Sequence, residues 1–358
     1  MRFSLVFDNL CDMLLFIIII IIALSTIAFM SKNENLAYVI VFVGIVFLKT
    51  FVDIHSMPDL PTYYTGYKEL ASVDWFQVPF KRLWTLKCPE IGFRYILRIG
   101  ALLGSFKWSL FIVGCINAYA YLSLTKKYSP YPIISIILVF LGITQAVFVI
   151  RQHCAIGLTL LSLPFIINRD LKMFLLCIVG AFLCHQTALV FLPVYFVYGI
   201  KDKQRLVVTL ASGAVFMMVA INIIFLFFVK NMVGYEVYEN SNESNATTLL
   251  ISLCYYVSYV WFLKREVLEE GIIKLLFVIQ TLNLSVMFAG FQLTAINRLM
   301  MYYSTCIFLS VPITAYFIND KILRACFLAA VIGILAVMFV IGANGQYVEK
   351  FRLDFALL

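Results

Sequence analysis

The sequence predicts an all-α fold: a polytopic integral membrane protein of about twelve transmembrane helices. Three observations predict it. Of the 358 residues, 63% are hydrophobic and only 13% are charged, whereas soluble domains are roughly 45–50% apolar and about 25% charged. The apolar residues gather in runs close to the roughly 20 residues that a span needs. Basic residues recur after every second run. These features exclude a soluble enzyme, a disordered chain and a nucleic-acid-binding protein.

Each predicted span is an apolar run bounded by charged or turn-forming residues. The runs cover residues 13–30, 36–52, 107–125, 131–150, 151–168, 171–186, 187–200, 206–229, 248–263, 274–294, 296–318 and 322–342. Residues 91–105 are too short for a comfortable span and carry Arg94 and Arg98 on one helical face, which predicts a short re-entrant or interfacial helix. We therefore expect a single polytopic membrane domain over 1–358, with extracytoplasmic loops at about 53–106 and 230–247.

Basic residues in short loops predict the orientation, because cytoplasmic loops are enriched in Lys and Arg. Such residues occur near positions 32, 126–127, 169–172, 201–205, 264–265 and 321–324. If residues 91–105 do not cross, all six positions face the cytoplasm. The N-terminus, the C-terminus and both long loops are then expected on the outer face.

Helix arithmetic brings Arg151 and His185 to a similar depth. The helix from Arg151 descends for about 17 residues, roughly 25 Å, and the next one climbs to His185 over about 14 residues, roughly 21 Å. Four crossings later, Arg298 returns to the same face. All three side chains are therefore expected near the outer mouth of the bundle.

The chemistry of these side chains suggests a diphosphate ligand. Guanidinium groups bind phosphate oxygens in a bidentate manner, and Arg151 and Arg298 lie on the face where topology does not require them. Two alternatives are snorkelling to lipid phosphate and a structural ion pair. An imidazole such as that of His185 is a natural general base for a hydroxyl nucleophile. The alternative is a helix-end histidine bonded to a carbonyl, and the competing His153 is expected to pack in the core.

The first outer loop combines carboxylates with aromatic side chains, a combination that binds carbohydrate. Asp59 and Glu90 frame it, and Tyr63 lies in the run DLPTYYTGY. Carboxylates accept hydrogen bonds from sugar hydroxyls, and aromatic faces pack on the apolar faces of sugars. The alternative is an interfacial aromatic belt. Nothing in the spacing of His55, Asp53 and Asp59 favours a metal site, so no metal is expected.

The ordered set of these motifs resembles a known family. The chain resembles the EpsG-like branch of the Wzy-type bacterial polysaccharide polymerases, which make O-antigen or capsule glycans. The resemblance rests on Asp59 with Tyr63, Glu90 with Phe93 in PEIGFRYIL, Arg151 with Gln152 in IRQHCAIGL, His185 in LCHQTALVFLP, and Arg298 with Tyr302 and Tyr303 in NRLMMYYS. The glycine and arginine that often precede the Asp-Tyr motif are missing, so Asp53 is an alternative equivalent of Asp59.

The resemblance implies a multi-pass enzyme of the bacterial plasma membrane whose active site faces the periplasm or exterior. It would polymerise oligosaccharide repeat units carried on undecaprenyl diphosphate, which serve as both donor and acceptor, without a cofactor or metal. A chain-length regulator and a flippase are the implied partners. The implied catalytic residues are His185, Glu90 and Asp59. The implied substrate-binding residues are Arg151, Arg298, Gln152, Arg94, Arg98, Tyr63 and Tyr303.

Two other functions fit a helix bundle of this size. A flippase for lipid-linked oligosaccharides would carry charged residues along a midplane cavity, whereas here the charges lie at the ends of the predicted spans. An O-antigen ligase, or an acyltransferase acting on surface glycans, would differ from a polymerase in its product.

Overall fold

The computed structural model describes residues 10–56, 59–83, 90–213, 215–216, 246–263, 269, 271–289, 297–342 and 353–354. Within these residues the regular structure is helical, and one isolated β-bridge joins Val52 to Leu353. The all-α prediction is confirmed for this part of the chain. The contacts divide the chain into two compact units: Met1–Leu158 with Gly180–Gln186 and Ala325–Leu358, and Thr159–Val179 with Thr187–Arg324.

The first unit is built mainly from the N-terminal helices. These are α1 (Leu10–Met30), α2 (Glu34–Thr50), α3 (Leu60–Leu70), α4 (Ile91–Leu102), α5 (Phe106–Tyr128) and α6 (Pro132–Phe148), followed by most of α7 (Ile150–Leu161). Two of these helices begin at a residue whose side chain caps the N-terminus. The Asn33 side chain accepts a hydrogen bond from the Leu36 amide at the start of α2, and the Ser105 hydroxyl accepts one from the Lys107 amide at the start of α5.

Helices α2 and α5 form the antiparallel centre of the first unit. At one end, Lys126 Nζ lies 3.3 Å from Asn35 Oδ1. At the other end, the ammonium group of Lys107 lies 5.5 Å from the centre of the Phe51 ring. The chain therefore leaves this helix pair at residue 51 and returns to the same end at residue 106. Helices α3 and α4, with 11 and 12 residues, are too short to cross a membrane, as predicted for residues 91–105.

The C-terminal segment lies at that same end. Leu353 pairs with Val52, and the Asp354 amide donates a hydrogen bond of 2.8 Å to the Phe51 carbonyl. The Asp354 carboxylate also forms a 3.3 Å ion pair with Lys107. The first long loop and the C-terminal segment therefore share one face of the first unit, which is the face opposite Lys126.

The second unit gathers around one helix. It contains α8 (Leu163–Ile167), most of α9 (Leu171–Cys184), α10 (Leu192–Tyr198), α11 (Ala246–Leu263), α12 (Ile272–Ala289), α13 (Asn297–Ser304) and α14 (Ile307–Tyr316); α15 (Lys321–Gly342) continues from it into the first unit. Helix α12 packs against α8, α10, α11, α13 and α14. Polar pairs such as Gln280 with Ser310 and Thr281 with Tyr256 join these helices, as is usual for helix packing in lipid.

Four helical segments of the described residues are long and apolar enough to cross a membrane: Phe106–Tyr128, Ile150–Ile167, Arg298–Tyr316 and Lys321–Met338. Several predicted spans are shorter apolar helices, among them Leu171–Cys184 and Gln186–Tyr198. Helix α9 ends at Cys184, and a 3₁₀ stretch over Gln186–Phe191 precedes α10. The total of twelve spans and the single polytopic domain stay predictions. Residues 230–245 of the predicted loop 230–247 lie outside the described residues.

Candidate functional site

Glu90 is the centre of a polar cluster in the first unit. It lies at the position just before α4, yet its side chain makes no capping hydrogen bond to that helix. Instead, its carboxylate accepts a hydrogen bond from Arg151 Nη1, with 2.7 Å between Nη1 and Oε2. Its other oxygen, Oε1, lies 3.0 Å from His185 Nδ1. One carboxylate thus joins two side chains that come from different helices.

Arg151 and His185 approach this carboxylate from the ends of two helices. Arg151 is the second residue of α7, and His185 directly follows the last residue of α9. The Glu90 side chain is 4% exposed, whereas those of Arg151 and His185 are 21% and 16% exposed. The carboxylate is therefore shielded, while its cationic and imidazole partners keep an accessible surface.

The hydrogen bond to Glu90 sets the orientation of the imidazole. A carboxylate is an acceptor, so it favours the tautomer in which Nδ1 carries the proton. The other ring nitrogen, Nε2, is then the basic atom. This carboxylate–imidazole pair is the arrangement by which hydrolases hold a histidine for proton transfer.

Tyr63 holds Arg151 from a second side. Its hydroxyl accepts a hydrogen bond of 3.2 Å from Arg151 Nε, and the guanidinium carbon lies 5.4 Å from the centre of the tyrosine ring. The ring of Tyr63 packs edge-on against Phe93 of α4, at 5.4 Å between centroids. Helices α3, α4 and α7 therefore meet at Arg151, whose position is fixed by a charge, a hydroxyl and an aromatic face.

A glycine allows α4 to approach the end of α9. A Cβ atom at Gly92 would lie 2.9 Å from the Leu183 carbonyl oxygen. Gly92 and Leu183 are each two residues from a member of the cluster, so their backbone contact sets the spacing of Glu90 and His185. The sequence signal for this feature is the glycine two residues after Glu90 in PEIGFRY.

The family follows from a comparison of the whole sequence. The profile of the EpsG family matches residues 35–349, which include every member of the cluster. The chain belongs to the EpsG family. EpsG proteins are Wzy-type polysaccharide polymerase-like membrane proteins, so the resemblance predicted from the motifs is confirmed. Searches of curated proteins and of solved structures gave no match.

Two arginines predicted to bind substrate in this EpsG protein contact its own backbone. Arg94 Nη1 donates to the carbonyl oxygens of Pro79 and Lys81, each at 3.0 Å, and Arg98 Nε donates to that of Val73 at 2.8 Å. These bonds fasten the loop between α3 and α4. Residue spacing could not predict these contacts, because every residue has a backbone carbonyl.

Of the other predicted site residues of the EpsG chain, Asp59 and Gln152 belong to the first unit, and Tyr303 and Arg298 belong to the second. Half-buried Asp59 directly precedes α3, one turn before Tyr63. Gln152 is fully buried beside Arg151 in sequence. In the second unit, Tyr303 is buried, donates to the Val190 carbonyl and stacks on Phe191, while Arg298 is exposed near the start of α13. The structure describes the two units separately, so the predicted meeting of Arg298 with Arg151 stays a prediction.

Sequence reasoning missed a second polar cluster in the first unit. Lys49 donates a hydrogen bond to the Asn117 side chain, whose amide donates to the His153 carbonyl at 2.8 Å. All three residues are buried. A lysine near the end of an apolar run is usually interpreted as a helix-end residue. The hydropathy pattern does not indicate which side chain it contacts. The expected packing role of His153 agrees with this burial. Among the described residues, no three His, Cys, Asp or Glu side chains gather in a possible metal site.

Proposed function

We propose that this EpsG protein polymerises oligosaccharide repeat units carried on undecaprenyl diphosphate. The family supplies the class, a polysaccharide polymerase-like membrane protein. The observation that carries the proposal is the shared Glu90 carboxylate, which holds a guanidinium and an imidazole side by side. A transferase of this type needs a cation for a diphosphate leaving group and a base for an attacking hydroxyl.

In this mechanism His185 is the general base. Its Nδ1–H is donated to Glu90, so Nε2 takes the proton from the acceptor hydroxyl. The acceptor oxygen forms a bond to the anomeric carbon of the donor. The bond from that carbon to the diphosphate oxygen breaks, and its electron pair leaves with the lipid diphosphate.

Arg151 stabilises the negative charge that develops on this leaving group. Its Nη1 contacts Glu90 and its Nε contacts Tyr63. Its side chain is also 21% exposed, and an exposed guanidinium can bind phosphate oxygens. Glu90 orients both groups and is a poor base, because its two oxygens are engaged and its side chain is shielded. We assign Asp59 to orienting the acceptor sugar.

The proposed site faces the exterior. The cluster contains Glu90, which lies in the segment between residues 51 and 106. That segment starts and ends at the end of the α2–α5 pair opposite Lys126 and Lys127. Because short basic loops are retained in the cytoplasm, this arrangement supports an extracytoplasmic reaction in the plasma membrane. Donor and acceptor would both be lipid-linked repeat units on that face.

The test is polymerisation by the purified full-length chain in proteoliposomes supplied with a prenyl-diphosphate-linked repeat unit. The parent chain should give a ladder of products on a gel. Arg151→Ala should lose about 2 to 4 kcal/mol of transition-state stabilisation, so single repeat units should remain. Normal chain length in this variant would contradict the proposal. In cells, repeat units trapped on the inner face would point to a flippase instead.

A further inference from the structure

The loop between α3 and α4 presents two phenylalanines that no part of the described protein covers. We name residues 71–83 the aromatic loop. Phe76 and Phe80 are each 86% exposed. Single exposed apolar side chains are common, but these rings are large, close together in sequence and outside the predicted spans. Burial of a phenylalanine ring is among the larger hydrophobic gains in proteins, so their exposure indicates a partner surface.

The aromatic loop is held firmly by α4. Arg94 and Arg98 bind four of its backbone carbonyls, at Val73, Val78, Pro79 and Lys81. The Tyr95 hydroxyl donates to the Trp75 carbonyl at 3.3 Å, and the two rings lie 4.9 Å apart. The loop also buries Val73, Val78 and Leu83. Its exposed rings are therefore presented by a fixed backbone.

The place of the loop in the first unit suggests what covers it. Helix α4 packs on the first turn of α5, where the Ser109 hydroxyl donates to the Ile96 carbonyl at 3.1 Å and Gly100 lies against Ser109. That turn begins α5, which is long and apolar enough to cross a membrane, and the ends of such helices meet the boundary between acyl chains and head groups. Arg98, two residues before Gly100, binds the Val73 carbonyl, so the aromatic loop begins beside this part of α4.

The charges beside the rings match a lipid surface. Lys81 and Arg82 directly follow Phe80 and are both exposed, and Asp74 is the one acid of the loop. Aromatic rings that enter the acyl boundary with basic side chains at the phosphate level are the pattern of an interfacial anchor.

We propose that the aromatic loop is a membrane-interface anchor. Phe76 and Phe80 insert at the acyl boundary of the leaflet on which the cluster opens, and Lys81 and Arg82 contact lipid phosphates. Because Arg94 and Arg98 join this loop to the helix that follows Glu90, the anchor sets the height of the Glu90 cluster above the bilayer. This role requires no particular reaction at the cluster and holds whether or not the proposed polymerisation is correct.

The test uses the full-length chain in vesicles of phosphatidylcholine with brominated acyl chains. Phe76→Trp and Phe80→Trp each add one fluorophore to the parent emission, and Ser72→Trp, at an exposed position of the same loop, is the matched control. At positions 76 and 80 the added emission should fall about twofold with brominated lipid and resist acrylamide. At position 72 acrylamide should be the stronger quencher.

Quenching of all three added tryptophans by acrylamide alone would overturn the proposal and favour a protein or glycan partner. The basic residues are tested with Lys81→Gln and Arg82→Gln combined in the Phe80→Trp chain. Half of the phosphatidylcholine is then replaced by phosphatidylglycerol with the same brominated acyl chains. This change should increase bromine quenching in the Phe80→Trp chain and leave quenching in the combined variant unchanged. An equal response of both chains would overturn the phosphate contact.

Discussion

The first unit contains two polar clusters that share helix α7 and differ in what they leave accessible. Around Glu90, the partners Arg151 and His185 keep part of their surface exposed. Around Asn117, Lys49 and His153 are buried. Arg151 and His153 are only two positions apart along α7. A charged cluster with an accessible edge can meet a substrate, whereas a buried cluster of hydrogen bonds joins helices in a membrane protein.

The largest expected difference is between the two histidines. His185→Ala should lower polymer formation by about 10²- to 10⁴-fold, because it removes the proposed base. His153→Leu should leave polymer length unchanged, because the ring nitrogens of His153 have no hydrogen-bond partner among the described residues. Product ladders per amount of folded protein compare the two. Equal loss in both variants would contradict the separation of the clusters.

The next effect concerns the centre of the accessible cluster. Glu90→Gln retains a single oxygen acceptor for two donors, so either Arg151 or His185 loses its position. We expect about a 100-fold loss of turnover, since a misplaced catalytic group is costly. Glu90→Ala should in addition destabilise the fold by about 3 kcal/mol, because it leaves Arg151 without its carboxylate. Thermal unfolding in detergent measures this, and an unchanged midpoint would weaken the assignment.

The backbone contact beneath the cluster gives a subtler test. Gly92→Ala should push α4 from α9 and lower turnover by about tenfold, since the methyl group meets a backbone carbonyl at 2.9 Å. Gly180→Ala on α9 is the control, because the nearest atom to its Cβ is a side-chain carbon of Leu158 at 3.7 Å. Turnover and melting temperature are measured for both. A similar loss in the control would remove the special role of Gly92.

The buried cluster should respond in stability and not in chemistry. Asn117→Leu removes the hydrogen bonds of Asn117 with Lys49 and with the His153 carbonyl, and the loss of these buried hydrogen bonds should cost about 1 to 3 kcal/mol. The melting temperature should fall, while polymer length per folded molecule stays the same. A shortened polymer in the stable fraction would show that this cluster reaches the site.

The smallest effect is expected at Tyr63. Tyr63→Phe keeps the ring against Arg151 and Phe93 and removes one hydroxyl, worth about 1 kcal/mol or fivefold. If Tyr63 positions Arg151, donor binding should weaken while the maximal rate changes little. Tyr63→Leu, which also removes the aromatic face, should have the larger effect. A loss confined to the maximal rate would argue for a different role.

The sequence predicted part of the site for a clear physical reason. The rise per residue of a helix fixes depth, so Arg151 and His185 could be placed at one level before any coordinates. Helix geometry alone could not identify Glu90 as the partner of both side chains, because that contact depends on how closely α4 approaches α9 at Gly92. Arg94 and Arg98 show the same limit, since their partners are carbonyl groups that every residue possesses.

The all-helical fold was predictable from apolar runs, yet the helices themselves are shorter than those runs in places. The helix break at His185 falls at the predicted boundary between the runs 171–186 and 187–200, but most of the first half of the second run is a 3₁₀ stretch, Gln186–Phe191. Hydropathy follows the surroundings of a segment and not its backbone dihedral angles. The two compact units were equally hidden, because they are assembled from contacts between residues distant in sequence.

The pairing of Leu353 with Val52 has a consequence for biosynthesis. The first unit uses residues from near both ends of the chain, and the whole of the second unit is translated in between. During co-translational insertion, the contact of residues 353–354 with residues 51–52 can therefore form only after the second unit has been synthesised. A premature stop in α15 should thus leave an inserted but unfinished bundle, exposed to quality-control proteolysis.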